Sequence, residues 1–188
     1  MNNHVKTTTS NRVRSRERVF LSLGSNVGSR PDNLRRALRL LGEDPDLRVV
    51  GTSRLYRASP VGYTAQREFL NGVVELRTDL NPRDLLGRLA GIEARIGKNT
   101  PFRNGPRRID IDVVLFGRRQ VRERGLEIPH PRMHGRRFVL EPLAEVAPRV
   151  LHPGLRSSVA RLLAGLESAE RVRAWGPWAA RDRQRRGG

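Results

Sequence analysis

The run Ile109-Asp110-Ile111-Asp112-Val113-Val114-Leu115-Phe116 constrains this chain more than any other stretch. Side chains of a strand alternate between faces, so Asp110 and Asp112 share one face, with Cα atoms roughly 6.6 Å apart. Ile109, Ile111, Val113 and Leu115 share the opposite face, which reads as core. Such a strand belongs in a sheet with one packed face and one open face. Two carboxylates this close repel, by roughly 4 kcal/mol at 4 Å in a near-surface dielectric, so a cation belongs beside them. Hard oxygen ligands suit Mg²⁺. The preceding residues, Gly97 to Arg108, form a basic loop rich in Gly and Pro, suited to a polyphosphate. The segment reads as a metal–nucleotide site.

The rest of the chain supplies a sheet for that strand. Val19-Phe20-Leu21-Ser22-Leu23 reads as a buried strand, and Gly24 to Gly28 as a turn. A helix follows, with Ser29 as cap, Pro31 in its first turn and Leu34, Leu38 and Leu41 on its core face; Gly42 suits its end. Arg48 to Arg57 and Phe69 to Leu76 read as antiparallel strands joined by a loop over 58–66. Asn81, Pro82 and Asp84 start a second helix whose stripe is Leu85, Leu89, Ile92 and Ile96. After the Asp strand come a polar hairpin over 117–123 and a Pro-rich, irregular 128–134. A short helix starting near Pro142 and another over 157–166 complete the pattern, and beyond Ser168 no apolar periodicity remains. Strand, helix, strand, strand, helix, strand is the split βαβ order. It predicts an α+β, ferredoxin-like βαββαβ core: an antiparallel sheet with helices on one face and the active site on the other.

The 188 residues suffice for one domain with a core. The net charge is +18, and half of it sits in the 18 residues at each end. The expected division is a disordered basic leader over 1–17, a single domain over 18–167 and a basic C-terminal tail over 168–188. The absence of cysteine excludes disulfides and thiolate metal sites, and the polar N-terminus lacks the apolar core of a secretory signal. A cytoplasmic monomer with no membrane partner is expected.

The segment GPRRIDIDVVLFG resembles the signature of the 6-hydroxymethyl-7,8-dihydropterin pyrophosphokinases, a folate-pathway family. LSLGSNVG over 21–28, SRLYRASPVGYTAQREFLNGVVEL over 53–76, IEARIGK over 92–98 and IPHPRMHGRRFVLEPLAEVAP over 128–148 resemble the same family in the same order. The resemblance implies transfer of pyrophosphate from ATP to the pterin hydroxymethyl group, with two Mg²⁺ and release of AMP. It implies Asp110 and Asp112 as metal ligands. It implies Lys98, Arg107, His130 and Arg136 as phosphate contacts, Lys98 and Arg107 serving catalysis together with the aspartates. It implies Phe69 and Phe138 as walls around the pterin ring, and Asn71, Ser59 and Val61 at its edge. Glu93 matches a family glutamate behind the metal site. Alternation itself puts Phe69 and Asn71 on one face and Leu70 on the other, which suits a pocket better than a sealed core.

Three departures from the family bear on how the loop over the site closes. Lys98 stands where arginine is usual; the loop from Gly97 to Arg107 is one residue shorter than in the best-known members, with Asn104 where many have tryptophan; and Gly125, next to Arg124, stands where a basic residue is common. Two other classes compete. A ferredoxin-like RNA-binding module needs paired aromatics on its central strands, whereas this chain has nine Phe, Tyr and Trp residues in all and no such pattern; no specific nucleic-acid partner is expected. A generic DxD transferase matches only the two aspartates.

Overall fold

The computed structural model describes residues 16–98, 102 and 105–178. The elements are β1 (Glu17–Ser25), α1 (Arg30–Glu43), β2 (Leu47–Thr52), β3 (Leu55–Ala58), β4 (Phe69–Thr78), α2 (Pro82–Ile96) and β5 (Asp110–Phe116). A hairpin follows, β6 (Val121–Glu123) and β7 (Leu126–Ile128), then a 3₁₀ turn (Met133–Gly135) and α3 (Arg137–Val146). The chain ends in β8 (Leu151–His152), β9 (Ser157–Ser158), α4 (Val159–Ala164) and β10 (Val172–Gly176). The main sheet runs β10-β3-β4-β1-β5, with β2 also paired to β4. Its pairings are antiparallel. The expected strand over 48–57 is two strands, β2 and β3, broken at Ser53 and Arg54, which pair in turn along β4.

Both long helices pack on one face. Leu34, Ala37, Leu40 and Leu41 of α1 and Leu85, Leu89, Ile92 and Ile96 of α2 bury against Leu21, Leu23, Leu70, Ile111 and Val113. The second helix starts as its sequence directs: the Asn81 side chain accepts from the N–H groups of Arg83 and Asp84, and Gly97 ends it at φ 89°. In α1 the Ser29 side chain bonds to Asp32 rather than to the backbone, and the helix runs past Gly42 to Glu43.

The opposite face is divided. Phe20, Val73, Val114 and Leu115 form a second core with Val139, Leu140 and Leu143 of α3, while the remaining half, over Ser22 and Gly24, stays open. Leu115 therefore departs from its expected place beside Ile111 and Val113. The β1–β5 register shifts between Phe20 and Leu21, which face Leu115 and Val113, so Val114 is an extra residue and Leu115 turns to the aspartate face. The bulge divides that face between carboxylates and core.

The helix expected near Pro142 begins five residues earlier, at Arg137, with Pro142 inside it. Its first N–H groups, those of Arg137 and Phe138, donate to the Glu170 carboxylate at 2.8 and 3.3 Å, a partner far beyond the reach of local sequence signals. Past Ser168 the chain forms β10 against β3. Trp178 then buries in the main core, its indole N–H 2.6 Å from the Ser53 carbonyl oxygen. Among the described residues, no helix is long and apolar enough to cross a membrane.

Candidate active site

The open half-face is a cleft of about 160 Å³. Register explains its floor. Asn71 of β4, Gly24 of β1 and Asp110 of β5 are cross-strand neighbours, and in the adjacent row Ser22 faces Asp112. Two strand spacings separate Asn71 from Asp110, roughly 10 Å. Gly24 is needed between them, because a Cβ there would lie 2.8 Å from Asn71 Oδ1.

Nine of the eleven expected site residues line this cleft: Ser59, Val61, Phe69, Asn71, Arg107, Asp110, Asp112, Arg136 and Phe138. The other two stand at its margin. Lys98 Nζ lies 3.0 Å from Asp110 and 2.8 Å from Glu93. His130 borders a second cleft, of about 310 Å³, on the far side of Asp112, with Ile111, Leu126 and Glu127 among its walls. Sequence reading missed Ser22, Gly24, Gln66 and Arg132. Ser22 and Gly24 carry a usable signal, since small residues alternate with Leu21 and Leu23 and so mark the uncovered face. Arg132 lies inside a quoted motif but has no pattern of its own.

Charge is concentrated where the two aspartates meet. Arg107 Nε lies 3.0 Å from Asp110 Oδ2, though out of line for a hydrogen bond. Lys98 and Arg107 thus supply the countercharge that the carboxylate pair requires. Asp112 is more deeply set: burial, reinforced by the Asp110 charge, pushes its carboxyl up to about 6. Burial lowers the Arg136 guanidinium, with Arg132 adding repulsion and Asp112 opposing it. Glu93 fixes the strand from behind, accepting from the Ile111 N–H at 2.7 Å between the two aspartates. Burial raises its carboxyl against the pull of Lys98.

His130 is neutral at pH 7, because burial and then Arg136 and Arg132 lower it to about 4. Its Nδ1 accepts from the Arg132 N–H at 3.2 Å. In the neutral ring that acceptor role leaves the proton on Nε2, which is then a donor.

Phe69 and Phe138 give the cleft aromatic walls. Arg107 lies 5.1 Å over the Phe69 ring and Arg136 5.4 Å over the Phe138 ring. Asn71 is buried, and among the described residues its Nδ2 has no hydrogen-bond partner. An unpaired buried donor costs about 1–3 kcal/mol, so its place beside a cleft marks a position for an acceptor on a ligand. Ser59 presents less than expected, since its N–H donates to the Arg171 carbonyl oxygen at 3.1 Å.

Asn26 joins the loops on either side. Its Oδ1 accepts from the Arg107 N–H at 2.8 Å, and its Nδ2 donates to Gln66 at 2.8 Å. Tyr63 and Phe102, one from each loop, meet edge to face at 5.2 Å between ring centres. Asn104 lies outside the described residues.

Two carboxylates on one strand face are too few to enclose a metal; among the described residues no three His, Cys, Asp or Glu side chains cluster for one. That donor set fits Mg²⁺ shared with substrate phosphates, which keeps few protein ligands.

A ferredoxin-like sheet with paired carboxylates, ringed by arginines and opening on an aromatic pocket, is the frame of a phosphate-transferring enzyme. The model of the 7,8-dihydro-6-hydroxymethylpterin-pyrophosphokinase family matches residues 20–148. A 2-amino-4-hydroxy-6-hydroxymethyldihydropteridine pyrophosphokinase of Bacillus subtilis is 44% identical over 132 residues, 70% of this chain and 79% of that protein. The enzyme of the same name from Methylorubrum extorquens is 42% identical over 156 residues, 81% of this chain and 99% of its own. Among solved structures, wild-type Plasmodium falciparum HPPK-DHPS shares the fold with a TM-score of 0.66 at 16% identity, over 79% of this chain and 43% of that one. The chain belongs to the 7,8-dihydro-6-hydroxymethylpterin-pyrophosphokinase family.

Proposed function

We propose that the cleft over Asn71, Gly24 and Asp110 is where this chain performs the family reaction, with pterin over β4 and the ATP phosphates over β5. The chain is an ATP-dependent diphosphotransferase of folate synthesis, acting from ATP onto hydroxymethyldihydropterin. The observation that carries the placement is the buried Nδ2 of Asn71, without a partner among the described residues and set in one cross-strand row with Asp110.

In this reading Asn71 Nδ2 donates to the pterin edge, while Phe69 and Phe138 hold the ring flat and orient its hydroxymethyl group towards Asp110. The hydroxymethyl oxygen, giving up its proton to solvent, attacks the β-phosphorus of ATP. The bond from that phosphorus to the α–β bridging oxygen breaks, and AMP leaves with the bond pair. Asp110 and Asp112 would hold two Mg²⁺ ions. Bound there, the ions would neutralise charge on the entering and leaving oxygens. Arg107 and Arg136 reach the phosphates from the aromatic walls, Lys98 from the Asp110 side, and neutral His130 from the second cleft. That cleft, with apolar Ile111 and Leu126 beside His130, would take the adenosine end. Positioning and electrostatics carry such a transfer, without a covalent enzyme intermediate. Asn26 links the loops carrying Gln66 and Arg107, so they would exclude water together.

The test is Asp110→Ala and Asp112→Ala, each read for pterin binding and for AMP formation. Turnover should fall by several powers of ten while pterin binding persists. Near-full turnover would overturn the metal assignment. Loss of pterin binding alone, with Asn71→Ala binding normally, would overturn the placement.

A further inference from the structure

The segment past the family match, residues 166–178, reaches both walls of the cleft. On one side the Glu170 carboxylate accepts from the N–H groups of Arg137 and Phe138, at 2.8 and 3.3 Å. Those are the first residues of α3, and Phe138 lines the cleft. On the other side, one residue further, Arg171 is bonded twice to Ser59: the Ser59 N–H donates to the Arg171 carbonyl oxygen at 3.1 Å, and the Arg171 N–H donates to Ser59 Oγ at 3.2 Å. Ser59 lines the same cleft. Glu170 is itself held, its N–H donating to Ser168 Oγ at 3.1 Å, and β10 continues along β3 from Val172 opposite Ala58.

Helix α3 has no local device for its start. Its capping residue is Arg136, whose side chain makes no capping bond, and its first turn holds no acidic residue. The helix N-terminus therefore takes its carboxylate from Glu170, where a negative group is favourable. Because Phe138 is the second residue of this helix, the position of its ring follows the first turn.

We infer that Glu170 is a positioning residue for the pterin reaction: with Arg171 it forms a strut that holds Phe138 and Ser59 at a fixed separation across the cleft. The inference rests on the pterin placement proposed above. Glu170 is not among the residues lining the cleft and acts through the two N–H groups it accepts from. A glutamine can accept from the same N–H groups with its amide oxygen, whereas alanine cannot.

The experiment compares full-length wild type, Glu170→Ala and Glu170→Gln. It measures the dissociation constant for 6-hydroxymethyl-dihydropterin, the KM for pterin and for ATP, and thermal unfolding. Loss of the distant cap in Glu170→Ala should weaken pterin binding and raise its KM about five- to tenfold. The KM for ATP should stay within about twofold, and Glu170→Gln should restore pterin affinity. Pterin binding by folded Glu170→Ala equal to wild type would overturn the strut, as would Glu170→Gln as weak as Glu170→Ala, or equal rises in both KM values. If the alanine variant does not fold, Glu170→Asp, one methylene shorter, must show the same pterin-only weakening, and its absence would overturn the inference equally. Wild-type protein that binds no pterin would overturn the underlying placement and this inference with it.

Discussion

Replacing Asn71 by Leu should stabilise the free protein while weakening its grip on pterin. The side chains have similar size, and the site is buried. Among the described residues Asn71 Nδ2 has no partner, a condition that costs about 1–3 kcal/mol. Leucine removes the donor and adds apolar contact with the Phe69 side of the cleft. A gain of about 1–2 kcal/mol should raise the melting temperature by about 2–8 °C for a domain of this size. Pterin binding should move the other way. A ligand acceptor matched to Asn71 would be buried against methyl groups, at about 2–4 kcal/mol, or roughly 30- to 1,000-fold in affinity. Calorimetry of the free protein and equilibrium titration with 6-hydroxymethyl-dihydropterin read the two effects separately. A variant that melts lower and binds pterin as wild type does would refute the assignment of this amide to the ligand.

The pH dependence separates the two clefts. In the proposed site, metal ligation needs the Asp112 carboxylate, which burial and the Asp110 charge push up to about 6. Mg²⁺ affinity should therefore fall about tenfold per pH unit below that value, and isothermal titration at several pH values checks it. Asp112 and His130 contribute to the stability of the metal-free protein with opposite sign. Asp112 binds its proton more tightly folded, about 6 against 3.8, so its contribution falls as pH rises through that range. His130 binds its proton less tightly folded, about 4 against 6.5, so its contribution is lost as pH falls from 6.5 to 4. Asp112→Asn should remove the first, so that stability declines more steeply than in wild type as pH falls below about 6; a profile unchanged from wild type would contradict the burial of Asp112. Gly24→Ala should push a methyl group into the Asn71 amide, 2.8 Å away, weakening pterin binding about tenfold with Mg²⁺ affinity kept. Asn26→Ala should speed amide exchange at Arg107, whose N–H then loses its 2.8 Å partner; unchanged protection there would show that the loops are not tied through this residue.

The aspartate strand was legible because alternation is a local rule and carboxylates stand out in an apolar run. The same rule misplaced Leu115. The bulge at Val114 is set by pairing with β1, and nothing in the octapeptide itself announces it. Helix α2 was legible from Asn81 to Gly97 because its cap, its acidic first turn and its glycine end all lie within the helix. Helix α3 was not, because its cap is Glu170. Strand β10 and Trp178 were hidden in a basic stretch: two tryptophans, Trp175 and Trp178, set no periodicity, although Gly72 leaves room for Trp178, a Cβ there lying 2.6 Å from its indole ring. Of the site, the residues in contiguous motifs were found, and nine of them converge on one cleft. What sequence could not supply was their order across the sheet, which places Asn71 and Asp110 on either side of Gly24.

The most direct test of the proposed chemistry is product analysis of the purified chain incubated with ATP, Mg²⁺ and 6-hydroxymethyl-dihydropterin. Attack at the β-phosphorus predicts AMP and pterin diphosphate in equal amounts, no ADP, and no reaction when either Mg²⁺ or pterin is left out. Formation of ADP and pterin monophosphate, or AMP release that does not depend on pterin, would contradict it.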